Sequence, residues 1–220
     1  LSDHPWLDRS GAHDRSSTPD RSSTRDIPLV LVHGLWDTPS LFDLLKTTLA
    51  GRRQPLLIPH LPHRWGAASL AELAGLLGNH IDAAFGIDQP VDLLGFSMGG
   101  VVGRYWIQIQ GGHHRTRRLF SVGSPQRGTW AAIPIPAFPL RGIAEMKPGS
   151  DLLRLLDADL SNLQRVDCRS YYCASDLTVF PGWRATLPLG PSVELPVQSH
   201  RAMITHPRAL EILCRDLVMP

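Results

Sequence analysis

The run Gly95-Phe96-Ser97-Met98-Gly99-Gly100 limits what this chain can fold into more than any other stretch. It follows Val91–Leu94, which reads as a buried strand, and leads into an apolar stretch, Met98 to about Gln110, which reads as a helix. Glycines two residues before and after a serine remove side chains that would collide in a sharp strand-to-helix turn. Gly99, Gly100 and Gly103 let the helix approach the strand closely. A serine hydroxyl is a weak nucleophile and needs such exposure beside a base. The plainer alternative is a Gly-rich turn in which Ser97 only caps the helix; the setting between a buried strand and a helix favours the nucleophile.

The rest of the chain repeats the same alternation. Ile27-Pro28-Leu29-Val30-Leu31-Val32 is continuously apolar, as expected of a strand covered on both faces. Helix is expected over about 39–50, a short strand over 55–58, and a helix opened by a capping box of Ser69 and Glu72 and running to about residue 85. Further strands are read at Arg118–Val122, ending at Tyr171–Ala174, and at Val193–Val197. Further helices are read at Asp151–Leu156 and Pro207–Val218. Strand and helix alternating in this order imply an α/β fold, a mostly parallel sheet of about six strands with helices on both faces. In such sheets ligands bind beyond the carboxyl ends of the strands, so a functional residue should stand just after a strand.

Composition narrows the partners. With 43% hydrophobic residues in 220, the chain can bury one core, expected over residues 27–220, whereas residues 1–26 are polar, aperiodic and read as a disordered tail. A net charge of +2 gives no sign of a nucleic-acid partner, and Arg115, Arg117 and Arg118 read as a solvated connection. Cys168, Cys173 and Cys214 read as packing residues. No apolar run reaches the ~18 residues of a membrane span. The chain starts at Leu1, not Met, and residues 1–25 hold no signal-peptide-like apolar stretch, so a cytoplasmic location is expected. His60 and His63 form an HxxH without a second ligand pair, and neither a metal nor a cofactor is expected.

If Ser97 attacks a carbonyl, the developing oxyanion needs donors. Met98 N–H, at a helix start, is one candidate. Leu35 N–H, in the loop His33-Gly34-Leu35-Trp36 directly after the first strand, is the other. The matching pieces Leu31–Leu35, Leu94–Gly100, Gly123-Ser124-Pro125-Gln126-Arg127-Gly128-Thr129, Met146–Leu153, Ser175-Asp176 and Ser199-His200 run in order through the chain. In these the sequence resembles the α/β-hydrolase superfamily, and within it the bacterial triacylglycerol lipases and esterases. It departs in Phe96, where that group often has His, and in lacking two strands at the start, which implies a minimal version of the fold.

The resemblance implies a triad in the order Ser, acid, His. Asp176, two residues beyond Ala174, is the acid it implies, ahead of Asp157, Asp159 and Asp167. His200 is the base, with His206 as the rival. It also implies a lid or pocket wall in the long connection 130–148, with Trp36, Phe96, Ile135 and Phe138 as substrate-binding residues. The implied activity is carboxylic-ester hydrolysis through an acyl-enzyme, on a small ester or a lipid, with transient contact with a lipid interface. A thioesterase, an amidase or an acyltransferase would use the same groups. A non-catalytic binding protein on this fold is the reading from another class.

Overall fold

The computed structural model describes residues 27–219; the tail expected over 1–26 lies outside them. Six strands form one sheet: β1 Leu29–Val32, β2 Leu56–Leu57, β3 Val91–Phe96, β4 Thr116–Val122, β5 Asp167–Tyr172 and β6 Ser192–Glu194. Their spatial order is β2-β1-β3-β4-β5-β6, and every neighbouring pair is parallel. Seven helices connect them: α1 Asp43–Leu49, α2 Leu70–Phe85, α3 Met98–Ile109, α4 Arg141–Ala144, α5 Asp151–Ala158, α6 Ala202–Thr205 and α7 Pro207–Val218. Among the described residues no helix is long and apolar enough to cross a membrane.

Alternation along the strands sorts the side chains into two cores. Val30, Val32, Val91, Leu93 and Leu119 pack with α2, α3 and α5 on one face. Leu29, Leu31, Leu94, Phe96, Phe120 and Tyr171 pack with α1 and α7 on the other. The expected capping box of α2 is present, with Ser69 and Glu72 bonding each other's backbone N–H groups.

Among the boundaries that differ from the sequence reading, two bear on the site. β5 stops at Tyr172, and β6 stops at Glu194 rather than Val197. Leu195 N–H still reaches the Tyr172 carbonyl at 2.8 Å, but the next residue, Pro196, has no N–H to extend the ladder. His200 therefore follows its strand by a longer loop than the spacing implies.

One charge lies on a buried face. Asp92 in β3 points towards α7, fully buried, and accepts hydrogen bonds from Arg53, Arg117 and Arg118. Arg53 and Arg118 also donate to the Leu217 carbonyl at the end of α7, at 2.7 and 3.4 Å. Of the three residues read as a solvated connection, Arg118 thus ties the sheet to α7, Arg117 bonds Asp92, and Arg115 pairs with Asp82 of α2. Burial pushes the Asp92 carboxyl up, but the bonds from Arg117 and Arg118 and the charges of Arg118 and Arg53 outweigh it and hold it below the ordinary range. Cys168 and Cys214 are free, buried thiols, pushed by burial up to about 12 and about 11.

The sheet reverses its winding between β1 and β3, which is where crossovers leave in opposite directions and open a crevice. α3 fits against that point only because glycine removes the intervening atoms. A Cβ on Gly99 would stand 2.2 Å from the Val32 carbonyl oxygen, and one on Gly95 would stand 2.4 Å from Gly100 Cα. Both obstacles are backbone and cannot swing away. Gly99→Ala is therefore expected to lower the thermal midpoint sharply or abolish folding. Gly75→Ala on α2, where a Cβ meets nothing nearer than 3.9 Å, should raise stability by about 0.5–1 kcal/mol. Thermal unfolding of both variants checks the packing, and a Gly99→Ala protein as stable as the parent would refute it.

Candidate active site

Ser97 stands between β3 and α3 with φ 53° and ψ −128°, a conformation non-glycine residues adopt only under constraint. Its N–H is held by the Val122 carbonyl at 2.9 Å, which fixes the turn to β4. The loop after β1 closes over it. A Cβ on Gly34 would lie 2.8 Å from Ser97 Cβ, so glycine here gives the two loops their close approach.

Beyond β5, Asp176 is 1% exposed, and its Oδ1 accepts from the N–H groups of Thr178 and Val179 at 2.8 and 3.1 Å. Its Oδ2 lies 2.7 Å from His200 Nδ1. Since the partner is a carboxylate, Nδ1 carries the proton and Nε2 presents a lone pair. Nε2 is buried and has no hydrogen-bond partner among the described residues, Ser97 included; ligand-free catalytic contacts are often loose in this way. The imidazole is backed by the Phe96 ring, with centroids 4.8 Å apart. Ser97 and His200 line one cavity of about 320 Å³ with Leu35, Trp36, Phe96 and Met146. Three larger surface grooves, of about 670, 810 and 340 Å³, contain neither group.

Two histidines shape the donor side. His33 is fully buried, and its Nε2 accepts from Leu61 N–H at 3.1 Å, so the proton lies on Nδ1 and donates to the Gly34 carbonyl at 2.9 Å. His63 Nε2 accepts from Trp36 N–H at 3.1 Å, while Trp36 itself takes φ 63°. Between these two fixed points Leu35 N–H has no acceptor among the described residues, and neither does Met98 N–H. Burial lowers the pKa of both histidines, more than the Gly34 bond restores to His33.

The structure thus sets Ser97, His200, Leu35, Trp36 and Phe96 around one cavity, with Asp176 behind His200 and Met98 next to Ser97 at the start of α3. It does not bring Ile135 or Phe138 there. Ile135 packs against the α2–α3 core, and Phe138 is 89% exposed. The expectation that 130–148 forms the pocket wall is corrected for these two: Ala132 and Ile143 of that connection cap the core, and Glu145 binds the Leu70 N–H at 2.7 Å. Ile135 and Leu140 of the proline-rich stretch pack on the core, Trp130, Ile133 and Phe138 stay exposed, and within 130–148 only Met146 reaches the site. His206 caps α7, its Nδ1 accepting from Arg208 N–H. Sequence reasoning missed the ion pair of Arg201 with Asp37 at 3.0 Å across the cavity mouth, and missed Thr129, Thr178 and Val179 in its wall. Arg201 adjoins His200 and Asp37 adjoins Trp36, so nearness in sequence was the only signal for either.

The buried histidine predicts a pH effect. Unfolded His33 takes a proton near its ordinary 6.5, whereas the folded state resists it, so the unfolded state binds more protons as pH falls and stability falls with it. The urea midpoint should therefore drop between pH 7.5 and 5. In His33→Gln, whose side chain offers an acceptor without titrating, the drop should be smaller. Equal slopes in the two proteins would rule out His33 as the source.

The fold places the chain among known proteins. The profile of the alpha/beta hydrolase family matches residues 29–214. Among solved structures, the mature lipase BlEst2 of Bacillus licheniformis is similar with a TM-score of 0.71 and 16% identity, over 92% of this chain and 95% of that one. Aspergillus fumigatus lipase B has a TM-score of 0.71 at 15% identity, over 91% of this chain and 55% of that one. The thioesterase RedJ of Streptomyces coelicolor has a TM-score of 0.59 at 19% identity, over 89% and 85%. No curated protein matches the chain in sequence. The match over most of its length and the sheet, elbow and strand order agree: this chain belongs to the alpha/beta hydrolase family.

Proposed function

We propose that the protein is a serine hydrolase of carboxylic esters. The observation that carries this reading is the Asp176–His200 pair at 2.7 Å, whose unpartnered Nε2 shares a cavity with a serine held at positive φ. In this mechanism His200 Nε2 takes the Ser97 hydroxyl proton as Oγ attacks the ester carbonyl. The oxyanion is met by the free N–H groups of Leu35 and Met98. The tetrahedral intermediate collapses, the C–O bond to the alcohol breaks, and the leaving oxygen receives the proton from His200. Water, deprotonated by the same nitrogen, then attacks the acyl-enzyme; the acyl C–O bond to Ser97 breaks, His200 returns the proton to Oγ, and the acid leaves. Asp176 holds the tautomer and stabilises the imidazolium that forms in each step.

An apolar acyl group suits the cavity. Leu35, Phe96, Pro125, Met146 and Val179 line it, and outside it Trp130, Leu177 and Phe180 form an exposed apolar rim. The same rim favours a small ester or lipid and transient contact with a lipid interface. RedJ, a thioesterase, shares the fold, and a thioester would meet the same groups, so the oxygen and sulfur analogues of one substrate should be compared.

A panel of nitrophenyl esters from C2 to C16 tests the activity. Ser97→Ala should keep the fold and lose roughly four to six orders of magnitude in turnover, and it should no longer react with a fluorophosphonate. Asp176→Asn should fall roughly 10⁴-fold through the wrong tautomer. His206→Ala should keep its turnover and lose about 1 kcal/mol of stability, through the cap of α7. A Ser97→Ala protein that retains a tenth of its turnover would overturn the proposal.

A further inference from the structure

We infer that Thr129 is a positioning residue for the acid of the site, coupled to Asp176 through one peptide group; the inference rests on the triad proposed above. Thr129 lies on the connection between β4 and α4, far in sequence from Asp176, and is 6% exposed. Its Oγ1 makes three hydrogen bonds to backbone. It accepts from Phe180 N–H at 3.0 Å and from Ala131 N–H at 3.2 Å, which occupies both lone pairs. The hydroxyl proton is then committed to donation, and the acceptor is the Thr178 carbonyl at 2.9 Å. The Phe180 carbonyl is a poorer choice: it is 3.5 Å away and already takes Trp130 N–H at 2.9 Å.

The Thr178 carbonyl and the Val179 N–H belong to the same planar peptide group. Its oxygen accepts from Thr129, and its N–H donates to Asp176 Oδ1 at 3.1 Å. Donation to a peptide oxygen polarises that peptide and strengthens what its N–H donates. It also fixes the plane, and hence the direction in which the N–H points. An unbroken chain therefore runs from Thr129 Oγ1–H through the peptide to Asp176 Oδ1, and from Asp176 Oδ2 to His200 Nδ1–H.

The Asx turn from Asp176 Oδ1 to Thr178 N–H is local and would form without Thr129. The second donor, Val179 N–H, is the one that depends on it. A carboxylate held by two N–H groups on Oδ1 keeps Oδ2 aimed at the imidazole; held by one, it can rotate. The backbone around the clamp is paired as well, since Trp130 N–H reaches the Phe180 carbonyl and Arg184 reaches the Gly128 carbonyl at 2.9 Å. The hydroxyl is therefore the element that speaks to Asp176, while neighbouring bonds hold the loops together.

The test compares Thr129→Val, which keeps the volume without the hydroxyl, with Thr129→Ser, which keeps the hydroxyl. Ester kinetics are read beside the low-field imidazole N–H resonance of His200, assigned by its loss in His200→Gln. Expected are a fall of about tenfold or more in kcat in Thr129→Val with KM within about threefold, loss or broadening of the resonance, and restoration of both by Thr129→Ser. If valine prevents folding, Thr129→Ala, which leaves room for water in place of the methyl, is read in the same way. Normal kcat and an intact resonance in the hydroxyl-free variant overturn the inference. So does a change in KM alone, which would mark Thr129 as cavity wall, or an equal loss in the serine variant tracking the thermal midpoint. If the parent protein neither hydrolyses esters nor reacts at Ser97, the proposed function falls, and the resonance comparison still decides the link from Thr129 to Asp176.

Discussion

The close approach of α3 to β1 and β3 is the constraint on which the rest of the site depends. Ser97 can hold φ 53° only because Gly95, Gly99 and Gly100 let the backbone fold back on itself, with Gly99 against the Val32 carbonyl. That conformation would relax in a free peptide. Here the Val122 bond to Ser97 N–H and two apolar cores on either side of β3 over-determine it. The same packing directs Met98 N–H, the first donor of α3, into the crevice without an acceptor. Nucleophile and one oxyanion donor are thus consequences of a single backbone fit.

The second donor is fixed differently. Leu35 sits in a loop with no regular structure, and two histidines hold it as acceptors for Leu61 and Trp36 N–H groups. Neutral imidazoles do this well because burial disfavours their charged forms, so each keeps a lone pair where an N–H must be received. Leu35 N–H is left free by elimination, its neighbours being occupied. A donor held this way is preorganised before any substrate arrives, which is what gives an oxyanion site its value.

The elbow, the sheet and the order of its elements were legible in the sequence because each rests on local patterning. Apolar runs, a capping box and glycine spacing speak about residues near in sequence. Asp176 and His200 were reached through the resemblance and the rule of strand ends, and the structure sets His200 in the cavity wall with Asp176 behind it. Ile135 and Phe138 were misplaced because apolar residues among prolines need only some surface to cover, and the sequence does not say which. Thr129 stood only at the end of a matching piece with no role assigned, and Arg201 and Asp37 were marked only by their nearness to His200 and Trp36. A hydroxyl or a charge becomes a site residue only when loops after β1, β4, β5 and β6 converge, and no periodicity records that.

The two edges of the sheet divide the work. At the amino edge Asp92 is matched by Arg53, Arg117 and Arg118, and Arg53 and Arg118 also bind carbonyls at the end of α7. A buried carboxylate with several charge-assisted bonds contributes by leaving few alternatives, since any shift of α7 against β3 would strip them. At the carboxyl edge the opposite holds: His200 Nε2 and the Leu35 and Met98 N–H groups are unspent. Unpartnered polar groups cost stability, and a chain keeps them only where the surrounding structure cannot collapse to satisfy them. The clamped amino edge and the packed cores prevent that collapse. The unspent groups are therefore still available when a carbonyl enters, and their hydrogen bonds form first as charge develops on its oxygen.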